Sequence, residues 1–561
     1  MGETPELLTS FGDFASIYGG YDNLALTGDP TDPKNINYLA LSVKAFFDNG
    51  GSRLYVSRVF SGGTMKDPAD ATKTIPDPGL SNSGAASDND VTVAARYPGS
   101  ALNDENVTVT LIAAKTQNIG SLPPGTLLAQ LDPDAADKTK VKTTLYSNGT
   151  GGSFMTSDKT ATLKAGDDLP ASLYVATVAV AAPNASGGTS VFEGLGLDPN
   201  HPQYIGNVLG PTPPRRIDAL ENQVSFSVGK NLADGPAVFG KLFGTWTDPR
   251  WADIRTATKK IFTLGRGNDG VEPGNNDYDT ALSALDSLED IAIVAAPGSS
   301  AYDSAEAVIN TLILHVEKTR AYRVAVLDTP PNQIGSDVKD VRSKIDSTYA
   351  ALYTPWVVTP NPLSRPGFSV PDEVTVPPSG FIAGIYARND TQRTVAKAPA
   401  NEVVLGALRF ERSINFAEQG DLNPLGINCL RFFPGRGYRV WGARTASSDA
   451  EFKYINVRRY MVYLEHSIDN GTQWAVFENN GPVLWARAKE SVEEFLYNEL
   501  AEGNLLGTTP AEAYFVRCDR STMTQNNLDR GELICLIGVA LLKPAEFVIF
   551  RIGQKTADAR A

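Results

Sequence analysis

The chain has 561 residues, 42% hydrophobic and 20% charged, with a formal net charge of −14 and an isoelectric point of about 4.9. That length and apolar content are ample for a large buried core, and length alone favours roughly three or four domains. The acidic balance argues against a nucleic-acid binder, which needs clustered Lys and Arg, and the longest apolar runs, at 173–182 and 533–542, are too short to span a bilayer.

Residues 6–18 carry a capping pattern, Ser10 ahead of Asp13, and predict a short helix. Residues 35–48 place Tyr38, Leu41, Ala45 and Phe46 on one helical face, and Asn49-Gly50-Gly51 stops that helix before a strand over 53–59. Helix, glycine stop and strand make an α/β unit. From Ser61 the composition shifts. Residues 61–89 are rich in Gly, Ser, Asp and Pro and read as a linker. Short Val/Thr/Leu runs divided by Gly, Asn and Pro then extend to about 183, the pattern of an inserted, mainly β domain. Residues 186–248 are again rich in Gly and Pro and return the chain to the first domain.

From Trp251 α/β alternation resumes. Strands are expected at 261–264, 291–296, 322–327 and 356–359, with helices at 277–288, 303–320 and 337–352. Such alternation implies a largely parallel sheet with helices on its faces. Further strands are expected at 403–410, 427–433 and 438–441, and helices at 455–468 and 482–501. The second helix turns Val492, Phe495, Leu496 and Leu500 inward, and Glu490, Glu493, Glu494 and Glu499 are assigned to a Glu-rich outer face. A strand at 513–518 precedes the stretch 532–554, read as two apolar strands broken at Lys543-Pro544. In the second of these, Val548, Phe550 and Ile552 fall on one face and Phe547 and Ile549 on the other, with Arg551 between. A strand apolar on both faces must be covered on both, and its backbone must find partners. It is either an inner strand of its own domain or a strand lent to another subunit's sheet.

No assembled catalytic set is apparent. Gly265-Arg266-Gly267-Asn268-Asp269-Gly270 follows a strand but lacks the Lys-Ser/Thr of a P-loop and the GxGxxG spacing of a dinucleotide fold. Asp328 at a strand end could be a base or metal ligand, though a helix-capping role fits it better. His466 on a helix face reads as packed or capping. Arg431, Arg436, Arg439 and Arg444 could bind phosphate, but in an acidic protein they fit salt bridges to a neighbouring acidic surface. Cys429, Cys518 and Cys535 show no CxxC spacing and are expected as free buried thiols. With three scattered histidines and no HExxH, no metal or cofactor is expected, and the first residues lack the basic and apolar regions of a secretory signal.

The ordered set of motifs resembles the tail sheath proteins of contractile phage tails and related contractile injection systems. It includes Ala45-Phe46-Phe47-Asp48-Asn49-Gly50-Gly51, Ala95-Arg96-Tyr97-Pro98-Gly99-Ser100, the Gly265 to Gly270 loop and Val294-Ala295-Ala296-Pro297-Gly298. It continues through residues 349–356, the long stretch 376–401, Asn456-Val457-Arg458-Arg459, Phe477-Glu478 with Asn480, Thr522-Met523-Thr524-Gln525 and Lys543-Pro544-Ala545-Glu546-Phe547. Two departures stand out: the chain begins after the opening Pro-Gly-Val-Tyr-type strand usual in the family, and Ala101-Leu102 replaces a frequent Trp-Gly.

The resemblance implies an α/β fold: a core with a mixed sheet over 1–60 and 251–400, an inserted mainly β outer domain over 61–250, and a C-terminal α/β sheath domain over 401–561 with terminal strands shared between subunits. It implies a non-enzymatic subunit that polymerises helically in hexameric rings around an inner tube and contracts to drive the tube through a target envelope. The expected partners are copies of itself, the inner tube protein, and baseplate and terminal cap proteins, with no nucleic acid and no membrane insertion. The expected place is a virion tail or injection particle assembled in the bacterial cytoplasm. Residues 547–552 become the inter-subunit strand, and the Glu-rich helix face is turned to the tube, to an adjacent subunit, or simply to solvent. The competing readings are a nucleotide-binding or hydrolytic α/β enzyme and a glycan-binding surface module.

Overall fold

A computed structural model describes residues 5–66, 70, 72–84, 87–133, 141–148, 153–156, 160–185, 187–244, 258–367 and 370–546. The chain divides into two compact units. The first takes the described parts of Met1–Ser10, Tyr38–Arg58 and Gly274–Ala561, and the second takes Phe11–Asn37 and Val59–Pro273.

The first unit is built on a five-stranded mixed sheet in the order Ile293–Ala295, Val324–Asp328, Ala350–Thr354, Ile427–Phe433, Gly437–Trp441. The first three pairings are parallel and the last is an antiparallel hairpin. Every residue of Val324–Asp328 and Ala350–Thr354 is buried, as two-sided cover of a parallel sheet requires. The helices Ala305–Val316 and Ser379–Gln392 pack on these strands. The Tyr38–Asp48 helix packs on Ser379–Gln392 in turn. Glycines permit that last approach. A Cβ on Gly380 would lie 2.6 Å from the Ser42 carbonyl oxygen, and one on Gly384 2.4 Å from that of Phe46. Four residues apart, the two glycines clear a stripe along one helix face. Asn49 closes the Tyr38–Asp48 helix: its side chain returns to the Ala45 carbonyl and exchanges two hydrogen bonds with the backbone of Leu405.

Two expectations need correction here. The helix expected at 337–352 is Gly335–Ser343, and Ala350–Thr354 is instead a central strand. The apolar run of Ala350–Thr354 is the continuous one of a strand buried on both faces. The strand Val357–Pro360 leaves the parallel sheet and pairs antiparallel with Glu373–Val376 and Arg409–Phe410.

The second unit is dominated by an eight-stranded antiparallel sheet. Its order is Thr162–Lys164, Ser153–Met155, Val141–Asn148, Leu127–Pro133, Leu173–Pro183, Asn106–Lys115, Lys259–Thr263, with Thr189–Leu195 added on Leu173–Pro183. Lys259–Thr263 is the strand expected to open the parallel sheet; it pairs antiparallel with Asn106–Lys115. Alternation of buried and less buried residues along Leu173–Pro183 marks one covered face. Val238, Phe239, Leu242 and Phe243 of the Gly235–Phe243 helix join Val107, Val109, Leu111 and Val178 in the core.

Replacing Gly384 with Ala should force the Tyr38–Asp48 and Ser379–Gln392 helices apart and lower unfolding stability by roughly 1–3 kcal/mol. Chemical denaturation of the full chain measures this; a midpoint equal to the parent's would show that the two helices have room to spare.

Candidate interaction surface

The C-terminal part of the first unit sets two helices, Ile455–Gly471 and Pro482–Ala501, against a small sheet made of Tyr514–Arg517 and Leu536–Val539. Tyr460, Leu464, Val492, Leu496, Leu505 and Val516 form their shared core. The two strands run antiparallel with Phe515 opposite Gly538, and the Phe515 ring lies where a Cβ on Gly538 would stand, 2.2 Å away. One register step beyond Arg517 and Leu536, Cys518 and Cys535 form a disulfide with Cα atoms 4.4 Å apart. The expectation of free thiols therefore holds for buried Cys429 alone. Nothing in cysteine spacing reports that two residues seventeen apart flank the same strand pair. Among the described residues the two strands pair with each other and with no third strand, and Phe515 and Leu536 are exposed.

After this sheet the chain makes a bridge from Leu541 to Leu505 and reaches Glu546. Glu546 is held by both oxygens. Arg444 donates to them from Nε at 2.8 Å and Nη2 at 2.6 Å, Asn423 at 2.6 Å and Tyr454 at 3.0 Å. The side chains of Arg444 and Glu546 are only 5% and 18% exposed. Burial works to raise the Glu546 carboxyl, but the Arg444 and Asn423 bonds outweigh it and hold the group below the ordinary carboxylate range. Arg444 thus spends its charge inside its own chain, not on the neighbouring surface expected of it. Phe547, Val548, Ile549, Phe550, Arg551 and Ile552, named from the sequence as the linking strand, lie outside the described residues.

On the Pro482–Ala501 helix, Glu490 and Glu494 are exposed and Glu493 lies 3.6 Å from Lys489. Glu499 does not share their face. It is buried and accepts hydrogen bonds from Tyr460 (2.6 Å), Tyr463 (2.9 Å) and Asn504 (3.0 Å). Burial first, and then this carboxylate, push the Tyr463 hydroxyl up to about 12 and raise that of Tyr460 further. The signal was present: Glu499 follows Leu496 by three and Val492 by seven, which is the spacing of the inner face.

The residues singled out for chemistry are structural. In the Gly265 to Gly270 loop, a Cβ on Gly267 would stand 2.3 Å from the Gly99 carbonyl and one on Gly270 2.2 Å from that of Ser61. Asp269 receives the amide of Ser100 at 2.6 Å and its hydroxyl at 2.9 Å. Both glycines thus stand where the chain approaches itself closely. Asp328 is buried at the end of its strand and accepts the Ser379 amide at 2.7 Å and hydroxyl at 2.5 Å, tying down the start of the Ser379–Gln392 helix. Burial outweighs these donors and pushes its carboxyl up to about 7. His466 stacks on Tyr322, ring centres 4.8 Å apart. Among the described residues no group of three His, Cys, Asp or Glu is placed to hold a metal, and no helix is long and apolar enough to cross a membrane.

Comparison with known proteins bears on this surface. Residues 272–446 match the phage tail sheath protein central domain and residues 447–555 the phage tail sheath C-terminal domain, together just over half of the chain. The tail sheath protein of Vibrio phage KVP40 is 27% identical over 188 residues, covering 33% of this chain and 27% of the relative. A putative prophage major tail sheath protein of Pseudomonas aeruginosa is 24% identical over 269 residues, covering 46% of this chain and 64% of the relative. The chain thus spans about a quarter of one curated relative and under two thirds of the other. Among solved structures, the helical sheath of the anti-feeding prophage in its contracted state is 32% identical over 50% of this chain and 75% of that one, with a TM-score of 0.44. The sheath complex of the extracellular contractile injection system PVC, also contracted, is 29% identical over 49% and 75%, with a TM-score of 0.43. The chain belongs to the phage tail sheath protein family.

Two outcomes follow from the geometry. Glu546→Ala strands a buried guanidinium and should cost about 3–5 kcal/mol, whereas Arg444→Met combined with Glu546→Met should cost clearly less; equilibrium unfolding in denaturant compares the two. Asp328 is raised in the folded state, so its contribution to stability is complete below pH 4 and is lost as pH climbs towards 7. Asp328→Asn should flatten the stability profile across that window, and an unchanged slope between pH 4 and 7 would contradict the assignment.

Proposed function

We propose that this chain is the structural subunit of a contractile sheath: copies polymerise helically, in stacked hexameric rings, around an inner tube, and contraction drives the tube through a target envelope. The observation that carries the reading, besides family membership, is the two-stranded sheet of Tyr514–Arg517 and Leu536–Val539, which finds no third strand among the described residues. Two strands do not make an independently stable sheet, and their outer edges present unpaired backbone groups. The apolar residues 547–552 follow directly after the Glu546 clamp, and strand addition to a copy's sheet satisfies both needs at once. An identical contact repeated head to tail does not close on itself and generates a helix.

In this mechanism the shared strands keep neighbours tethered while the rest of each subunit shifts. Contraction is the relaxation of a metastable extended array to a lower-energy one, with no nucleotide consumed. The partners are then further copies of the chain, an inner tube protein, and baseplate and terminal cap proteins, in a phage tail or injection particle assembled in the bacterial cytoplasm. The mainly β second unit serves as the outer domain, and Glu490, Glu493 and Glu494 contribute to a surface facing the tube or an adjacent subunit.

Negative-stain micrographs of the purified chain should show cylinders, and ending the chain after Glu546 should abolish them while leaving a folded subunit. Cylinders of normal length from the shortened chain would reject strand exchange as the link.

A further inference from the structure

The hairpin of Ile427–Phe433 and Gly437–Trp441 concentrates cations in an otherwise acidic chain. Its register sets Arg431 directly opposite Arg439, and Cys429 opposite Trp441. By the two-residue period Arg431, Phe433, Arg439 and Trp441 share one face. Arg436, from the turn, folds back over that face, with its guanidinium 5.5 Å from the Phe433 ring centre and 5.4 Å from that of Trp441. The Arg431 guanidinium lies 5.0 Å from the same Phe433 ring. Two cations, Arg431 and Arg436, thus sit over one aromatic pair whose ring centres are 4.5 Å apart, with Arg439 on the same face.

Like charges directly opposite on a strand pair oppose folding unless something offsets them. Among the described residues their acceptors are neutral. Arg431 Nε donates to the Ile414 carbonyl at 3.0 Å. Arg439 donates to the carbonyls of Arg436 (3.0 Å) and Asn401 (2.6 Å), and Arg436 to the Asn401 side chain. The carboxylates on adjoining segments are engaged elsewhere: Glu402 by Lys397 at 2.7 Å, Glu418 by Arg412, and Glu411 by the amides of Asn332 and Trp356. Among the described residues none comes within ion-pair distance of Arg431, Arg436 or Arg439.

We infer that this arginine–aromatic face is a docking site for the exposed carboxylates of the Pro482–Ala501 helix of a second copy of the chain. Glu490 and Glu494 are exposed there and, among the described residues, make no ion pair of their own. Four residues apart on a helix, their Cβ atoms are spaced about 5–6 Å. Directly opposed residues on a strand pair, as Arg431 and Arg439 are, are spaced about 4.5–5.5 Å. The two spacings match, so one helix face can address both arginines, each guanidinium meeting a carboxylate. Both surfaces belong to the same unit, and among the described residues no ion pair joins them, so the pairing is between copies. This rests on the sheath reading and adds which surfaces meet.

The test uses the full chain. Arg431→Glu with Arg439→Glu should raise the critical concentration for sedimentable cylinders by roughly tenfold or more. Adding Glu490→Arg and Glu494→Arg to that chain should restore it. Circular dichroism confirms folding; if the reversed pair does not fold, Arg431→Gln with Arg439→Gln replaces it, with the same expected direction. Cylinders at the parent concentration from the reversed chain, or failure of the fourfold reversal to recover them, would overturn the proposal while parent cylinders keep the sheath reading intact. Absence of cylinders from the parent chain overturns both.

Discussion

The last described segment of the chain is held by one ion pair, between buried Arg444 and partly buried Glu546. Glu546 is the last described residue, and its partner Arg444 is held independently of it. The Asn428 side chain accepts the Arg444 amide at 2.7 Å and donates to its carbonyl at 2.8 Å, while also reaching the Leu352 carbonyl. Asn428 and Leu352 belong to neighbouring strands of the central sheet. The anchor for the last segment is thus bolted to the most buried part of the fold. A salt bridge on the surface would be worth little and would let the segment leave. A desolvated, bidentate one with two further donors holds its direction, and removing either partner leaves a charge stranded in the interior.

The same logic of polar groups satisfied in the interior runs through the first unit. Arg459 pairs with Asp390 and lies over Tyr386, whose hydroxyl meets that of Tyr353 at 2.6 Å. Asp328 holds the start of the helix that carries Tyr386 and Asp390. Trp356 donates to the Thr329 carbonyl at 2.7 Å and meets Tyr38 edge-on. Of these links, Arg459 with Asp390 and Tyr386 joins the central-domain and C-terminal-domain segments of the family, through side chains whose hydrogen bonds are directional. A purely apolar contact would tolerate sliding, whereas a half-broken polar network is costly.

Several motifs that mark the family turn out to be packing devices. Gly380 and Gly384 let two helices touch, Asn49 ties a helix end to a distant loop, and Arg96 gathers the carbonyls of Asn222, Pro211, Gly210 and Val224. The Gly265 to Gly270 loop and the segment around Ser100 staple each other through Asp269 and through Asn103 with Gly267. The Gly265 to Gly270 loop looked like candidate chemistry because close approach and sharp turns demand the same small and polar residues that active sites use.

The sequence by itself determined whatever depends on neighbours within a few residues. The Pro482–Ala501 helix, the Ile455–Gly471 helix and the Ile427–Phe433 strand follow from periods of 3.6 and two, which a local window carries in full. What only the tertiary structure decided involves partners far away along the chain. Which sheet receives Lys259–Thr263, which cysteines meet, which arginine holds Glu546, and that Glu499 is sealed by Tyr460 and Tyr463 all depend on contacts across the fold. Periodicity reports that a face will be covered; it carries no record of what covers it. That is also why the four arginines are visible as nearby cations in sequence, while only the distant contact with Glu546 separates Arg444, already neutralised, from Arg431, Arg436 and Arg439.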